Sequence, residues 1–190
     1  VLKEPLTSFV SQYPNINLHV ELSDRFVDLV GEGFDLAIRI GHLDDSSLVA
    51  RRLSDVPMVL VGAPILLAEY GTPTNPEDLV DIPFVHYASE RVVQRLKLQR
   101  RNEEPVQVIT QAKLSTNNDQ MMVSFARAGQ GLILLPRFMV ETDLEDGRLR
   151  EVLPEYRLFP ERKLYAVFPH GRHLPLKTRA LIDFLVDELA

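Results

Sequence analysis

The sequence predicts an α/β fold, and three observations carry that prediction. Leu2, Leu6, Phe9, Val10 and Tyr13 recur at helical spacing; Ile16, Leu18, Val20 and Leu22 alternate with Asn17, His19 and Glu21; and Leu36-Ala37-Ile38-Arg39-Ile40 is a short, mainly apolar run. Between the last two, Phe26, Val27, Leu29 and Val30 form an apolar stripe behind Asp24, which can cap a helix that Gly31 and Gly33 would stop. Strand, helix and strand in that order predict a βαβ unit, with parallel pairing and a right-handed crossover.

The remaining elements follow the same signals. Pro14 and Asn15 end the first helix. The stretch 48–63 is too long and too interrupted for one strand, so two extended pieces meeting near Asp55 and Pro57 are expected. Ile65 to Tyr70 is a short helix stopped by Gly71, and Pro76-Glu77-Asp78-Leu79 suits a helical turn. Phe84 to Tyr87, Leu96 to Gln99 and Val106 to Ile109 are predicted strands. Asn117 or Asn118 can cap a helix over 119–128, after which Gly129 and Gly131 lead into a strand at Leu132 to Leu135. Leu149 to Val152 and Leu164 to Phe168 read as strands, and Leu176 to Leu189 as a final amphipathic helix.

Composition narrows the function. With 190 residues, 45% of them hydrophobic and 25% charged, the chain can bury a sizeable core as one domain or as two small lobes. It has no cysteine, which removes disulfides, thiol catalysis and cysteine-based zinc sites and is compatible with a reducing cytosol. No apolar run approaches the roughly 18 residues of a membrane span, and Met58 to Ala63 is flanked by Pro57 and Pro64, so no membrane partner is expected. The start at Val1, without an initiator methionine, a basic region or an apolar signal core, reads as internal to a longer protein. A formal net charge of −6 speaks against this segment gripping nucleic acid, because such binding needs Lys and Arg to neutralise phosphates.

Hydrolase, zincin, Walker and dinucleotide patterns are all missing, so no catalytic residues and no cofactor are expected. His170 and His173 flank Gly171-Arg172 with no acidic neighbour, which fits exposed turn histidines and predicts no metal site. Asp44, Asp45, Ser46 and Ser47 suit backbone capping in a turn better than acid/base work. Arg91, Arg95, Lys97, Arg100 and Arg101 form the one basic concentration, and without interleaved aromatics it reads as a solvated strand face. Ser115-Thr116-Asn117-Asn118 has sharper content. Just before a helix, it brings hydroxyls, amides, free backbone N–H groups and the positive helix end together, which favours an anion such as a carboxylate; a plain N-cap uses one of these residues alone.

The run from Val27 to Gly41, Val-Asp-Leu-Val-Gly-Glu-Gly-Phe-Asp-Leu-Ala-Ile-Arg-Ile-Gly, resembles a motif of LysR-type transcription regulators. Asp45 to Leu53, Gly129 to Phe138, Tyr165 to Pro169 and Arg172 to Lys177 continue the likeness in order, so it covers essentially the whole chain. The resemblance implies the effector-sensing domain of a bacterial, cytoplasmic regulator. Its fold would be periplasmic-binding-protein-like (type 2), with two Rossmann-like lobes, residues 1–57 plus 165–190 and residues 58–164, joined by two crossing strands around a ligand cleft. A small-molecule effector, more anionic than cationic, would meet Arg39, Ile40 and Gly41 from one lobe and Thr116, Asn117, Asn118 and Pro136 from the other. A homodimer is implied in which the first helix and the 16–22 strand (Phe9, Leu18, Val20) face the 119–128 helix (Met122, Phe125, Ala126) of a second copy, with a tetramer for the full-length protein. DNA would be read only by a helix-turn-helix domain, which, like the family's first strand and its loop, is expected upstream of Val1. A solute-binding protein of the same fold is the alternative.

Overall fold

The computed structural model describes residues 1–23, 27–41, 48–87, 93–170 and 174–189. Along them run α1 (Lys3–Gln12), β1 (Ala37–Gly41), β2 (Leu48–Val56), β3 (Met58–Gly62) and α2 (Pro64–Tyr70). A 3-10 helix (Pro76–Asp81), β4 (Phe84–Tyr87), β5 (Val93–Arg100), β6 (Val106–Thr116), α3 (Asp119–Arg127) and β7 (Ile133–Pro136) follow. The chain ends with α4 (Arg137–Glu145), β8 (Arg150–Val152), β9 (Tyr156–Leu158), β10 (Arg162–Pro169) and α5 (Leu176–Leu189). It divides into two compact units, Val1–Val56 with Lys163–Ala190, and Pro57–Arg162.

Unit one holds a sheet in the order β1-β10-β2. β1 lies antiparallel to β10, with Ala37 opposite Val167 and Gly41 opposite Lys163. The α5 helix packs on β2, and α1 packs on α5. Phe9 is fully buried there, stacked on Tyr13 at 4.6 Å between centroids and edge-on to Phe184 at 5.4 Å, a trio that anchors α1 beyond the area it buries. Exposed ion pairs, Lys177 with Asp35 and Arg51 with Asp183, add little beside this core.

The predicted βαβ unit is not present among the described residues. Residues 16–23 carry the alternating pattern but belong to no strand, because alternation specifies which face is apolar and does not supply a ladder partner. Residues 29–33 form a turn rather than a helix: the Asp28 carboxylate accepts from the backbone N–H groups of Val30 and Gly31 at 3.2 and 3.1 Å, and Gly33 takes a φ of 76°. Asp24 and Phe26, the proposed cap and first apolar residue, lie outside the described residues. The 37–41 strand forms, and its partner β10 is antiparallel and comes from the far end of the sequence.

Unit two is built on short strands, of which β3, β4 and β7 are covered on both faces while β5 and β6 alternate between buried and exposed residues. Val59, Val61, Val85, Ile133 and Leu135 point to one side, where Met122, Val123 and Ala126 of α3 and Val140 of α4 close the core. Leu60, Phe84, Leu96, Leu98, Val108 and Leu132 point to the other, under Leu66 and Leu67 of α2 and Leu79 of the 3-10 helix. Each such side chain removed from water stabilises the fold by about 1.5–3 kcal/mol before chain entropy is counted. The strands form one ladder in the order β7-β3-β8 and another in the order β4-β6-β5-β9. Among the described residues a single parallel bridge, Phe84 with Leu132, joins them. Gly131 makes that contact possible: a Cβ there would stand 2.8 Å from the Pro83 carbonyl oxygen and 2.9 Å from the Phe84 carbonyl carbon.

Two elements were not expected from the sequence. β9 is a three-residue edge strand, too short to show a period. α4 hides because a carboxylate interrupts its apolar stripe: the residues it buries are Val140 and Asp143. Burial divides the residues expected at the dimer surface. Phe9, Met122 and Ala126 are at most 1% exposed, so little of their apolar area is open to a second copy. Leu18 and Phe125 are half-buried and Val20 is exposed, which leaves them accessible.

Candidate functional site

β4 and β6 run parallel, with Tyr87 opposite Thr116. The parallel bridge from Phe84 to Leu132 sets β7 in the same direction, so Tyr87, Thr116 and Pro136 end their strands along one edge of unit two. The carboxyl ends of parallel strands are where α/β sheets hold ligands, because the chain leaves the sheet there and turns into loops and helix starts. Pro136 is buried and begins α4, and the following N–H, from Arg137, donates to the Pro57 carbonyl at 2.9 Å.

The predicted turn opens onto this edge. Asn118 is the N-cap of α3: its Oδ1 accepts from the Met121 N–H at 2.9 Å, and its own N–H donates to Thr116 Oγ1 at 3.2 Å. Between two capping candidates the fold thus selects Asn118. The side chains of Ser115 and Asn117 are exposed and take no partner among the described residues. The Thr116 hydroxyl keeps its proton free to donate, since in its bond with Asn118 it accepts. These groups, with first-turn amides that have no intrahelical acceptor, can hold a carboxylate or another polar head. Asp119 already sets a carboxylate in the first turn, so the positive helix end is partly answered and hydrogen bonding outweighs the dipole in attracting an anion.

Arg39, Ile40 and Gly41 stand on β1 of unit one. The Arg39 guanidinium donates through Nη2 to the Val27 carbonyl at 2.8 Å, which ties β1 to the turn before it. Asp44, Asp45, Ser46, Ser47, Arg91 and His173 lie outside the described residues, whereas His170 is exposed. Among the described residues no three metal-ligating side chains cluster. On the basic strand, Arg95 and Lys97 face outward, and Arg100 pairs with Glu103 and Glu155.

Sequence reasoning passed over Tyr87 and His86. The 84–87 strand was legible, but its direction relative to β6 was not, and only that direction sets Tyr87 beside Thr116. His86, one residue inward, is 3% exposed; its Nε2 lies 3.0 Å from Thr110 Oγ1, and burial lowers its basicity.

Hydroxyl, amide and backbone N–H groups gathered around one turn at a strand edge are chemistry suited to a small polar molecule. The chain belongs to the LysR substrate-binding-domain family, whose model, described as LysR substrate binding domain, matches residues 2–190. It is 32% identical over 187 residues to the HTH-type transcriptional activator AaeR of Escherichia coli, covering 98% of this chain and 60% of that protein. It is 33% identical over 182 residues to the HTH-type transcriptional regulator PtxR of Pseudomonas aeruginosa, covering 96% of this chain and 58% of that one. The chain therefore spans about 60% of the length of the curated relatives it matches. Among solved structures, the regulatory domain of CrgA from Neisseria meningitidis matches with a TM-score of 0.79 and 27% identity, over 100% of this chain and 92% of that one. Full-length AphB, a virulence activator of Vibrio cholerae, matches with a TM-score of 0.80 and 26% identity, over 100% and 64%. The fold is accordingly the type 2 periplasmic-binding-protein-like fold of LysR-type regulatory domains.

Proposed function

We propose that this chain is the sensing part of a cytoplasmic LysR-type transcription regulator, and that a small organic anion binds unit two at the Thr116–Asn118 turn, beside Tyr87 and Pro136. The observation that carries this reading is the family match over 2–190, to which the free Ser115 and Asn117 side chains at a strand edge add a place for the ligand. Arg39 has a backbone partner in Val27 and is not assigned to the anion. Contact with DNA belongs to a helix-turn-helix part of the whole protein, in keeping with the net charge of −6 on this segment. Two copies of the domain pair through Leu18, Val20 and Phe125, and the full-length regulator is a tetramer.

The experiment is a thermal-shift screen of small carboxylic acids against their neutral amides. A ligand at about 100 times its Kd adds about 2.7 kcal/mol, which raises Tm by roughly 5–10 °C for a chain of this size. Asn117→Ala and Ser115→Ala should each weaken the best carboxylate by about three- to tenfold, the loss of one hydrogen bond, without lowering the ligand-free Tm. Unchanged affinity in both variants would remove the turn from the site. A screen in which amides bind as well as acids would refute the anionic ligand.

A further inference from the structure

His86 sits in unit two with one ring nitrogen satisfied and the other not. Thr110 Oγ1 lies 3.0 Å from Nε2 and 3.4 Å from the Gln94 carbonyl oxygen. A hydroxyl has one proton. Given to Gln94, it leaves the hydroxyl oxygen to accept from Nε2–H, so Nδ1 is a bare acceptor. Nδ1 is buried and has no hydrogen-bond partner among the described residues. The Phe84 ring lies on the same side, 5.7 Å away between centroids.

Among the described residues no acceptor is placed to receive a proton on Nδ1. The elements most closely packed against β4 are β6, β7 and α3. On the face that His86 shares with Phe84 stand α2, the 3-10 helix and β5, whose charged residues Glu69, Glu77, Asp78, Asp81, Arg95, Lys97 and Arg100 are all exposed. β7 carries no charged residue. On β6 the one charged group, Lys113, is directed to Gln130 at 3.3 Å. α3 carries Asp119 in its first turn and Arg127 in its last, and Arg127 is held by Asp143. Burial lowers the basicity of the ring.

We propose that His86 is an acid-sensitive latch between β4 and β6: a second proton on its ring forces it out of the pocket beside Thr110 and loosens the strand edge that ends at Tyr87 and Thr116. A protonated ring would put a charge and an unmatched N–H into an apolar, closed space, and the least costly relief is to break the β4–β6 packing and let water reach the ring. His86 stands opposite Ser115, so the disturbance falls on the residues that lead into the α3 turn.

The direction with pH follows from linkage. The folded-state pKa is lowered from 6.5, so below pH 6.5 the unfolded chain binds more protons at this residue than the folded one does. The stability contributed by the neutral ring is complete above 6.5 and is lost as pH falls from there toward the folded-state value. One proton taken up on unfolding raises the unfolding equilibrium constant by at most about tenfold per pH unit.

The test compares urea unfolding of the wild-type domain and His86→Gln from pH 7.5 to 5.0, since glutamine can reach Thr110 and does not titrate. The wild type should steepen toward the tenfold-per-unit limit relative to the variant. In parallel, proton NMR of the wild-type histidine ring signals should show one ring staying neutral below pH 6.5 until unfolded signals appear, and this readout stands even if His86→Gln does not fold. Hydrogen exchange, corrected for its intrinsic pH dependence, should rise first at β4 and β6 amides. Parallel pH profiles for the two proteins, or a His86 ring that titrates at an ordinary histidine pKa with no loss of protection in β4, would overturn the latch.

Discussion

Replacing Asp143 with alanine should destabilise unit two severely. The carboxylate is 2% exposed and receives Arg127 in a two-bond fork, Nε to Oδ1 at 2.6 Å and Nη2 to Oδ2 at 2.7 Å, with Arg148 Nε on Oδ1 at 2.9 Å. The hydrogen bond from Arg127 to Asp143 is the main reason the guanidinium pKa is raised above its usual value. Three charge-assisted bonds at about 1.5–3 kcal/mol each set an upper limit near 4.5–9 kcal/mol. The three share one carboxylate, and the arginine side chains are 44% and 48% exposed, so water takes over both cations once the carboxylate is gone. A loss of about 2–4 kcal/mol is therefore expected, equivalent to a fall in Tm of roughly 5–15 °C. Asp143→Asn, which keeps the shape and one acceptor, should fall between wild type and alanine. Calorimetric melting with urea titration at neutral pH measures both. If Asp143→Ala unfolds within about 0.5 kcal/mol of wild type, the range of an ordinary surface change, the fork contributes no net stability and the reasoning fails.

Three further outcomes can be checked with the same assays. Met122→Ala should cost about 2–5 kcal/mol because its side chain is core, whereas Met121→Ala, at a position 47% exposed, should change little; equal effects would mean Met122 is not where the fold puts it. Val20→Glu should convert a dimer to monomers in sedimentation while leaving Tm unchanged, since Val20 is 50% exposed; unaltered sedimentation would move the interface elsewhere. Gly131→Ala should cost about 1–3 kcal/mol through the backbone it would strike, and a Tm equal to wild type would show that β4 and β7 separate freely.

Legibility in the sequence tracked what each pattern physically encodes. The break between β2 and β3 at Pro57, the capped start of α3 and the whole of α5 could be read because caps, prolines and helical periods act locally. The 16–22 pattern showed an apolar face and could not show a partner, and the partner of β1 arrives from the end of the chain. α4 was lost because Asp143 occupies an inward position that only Arg127 and Arg148, both remote or beyond the helix, make tolerable. At the candidate site the Thr116–Asn118 turn was visible and Tyr87 was not, since strand direction is a property of the assembled sheet. Amphipathic spacing likewise placed Met122 and Ala126 on one side of a helix without saying whether that side meets its own unit or another copy.

The lone bridge between Phe84 and Leu132 makes a crease in unit two. Two hydrogen bonds hold it, Val85 N–H to the Leu132 carbonyl at 2.9 Å and Leu132 N–H to the Pro83 carbonyl at 2.8 Å, against a run of paired residues within each ladder on either side. The crease is a break in the backbone ladder and not in the packing: Val59, Val61, Ile133 and Leu135 on one side and Val85 on the other meet the same face of α3, while Leu60 on one side and Phe84, Leu96 and Leu98 on the other share the opposite core. Tyr87 and Thr116 lie on one side of the bridge and Pro136 on the other, so the spacing between them is set by side-chain packing rather than by a continuous run of backbone hydrogen bonds.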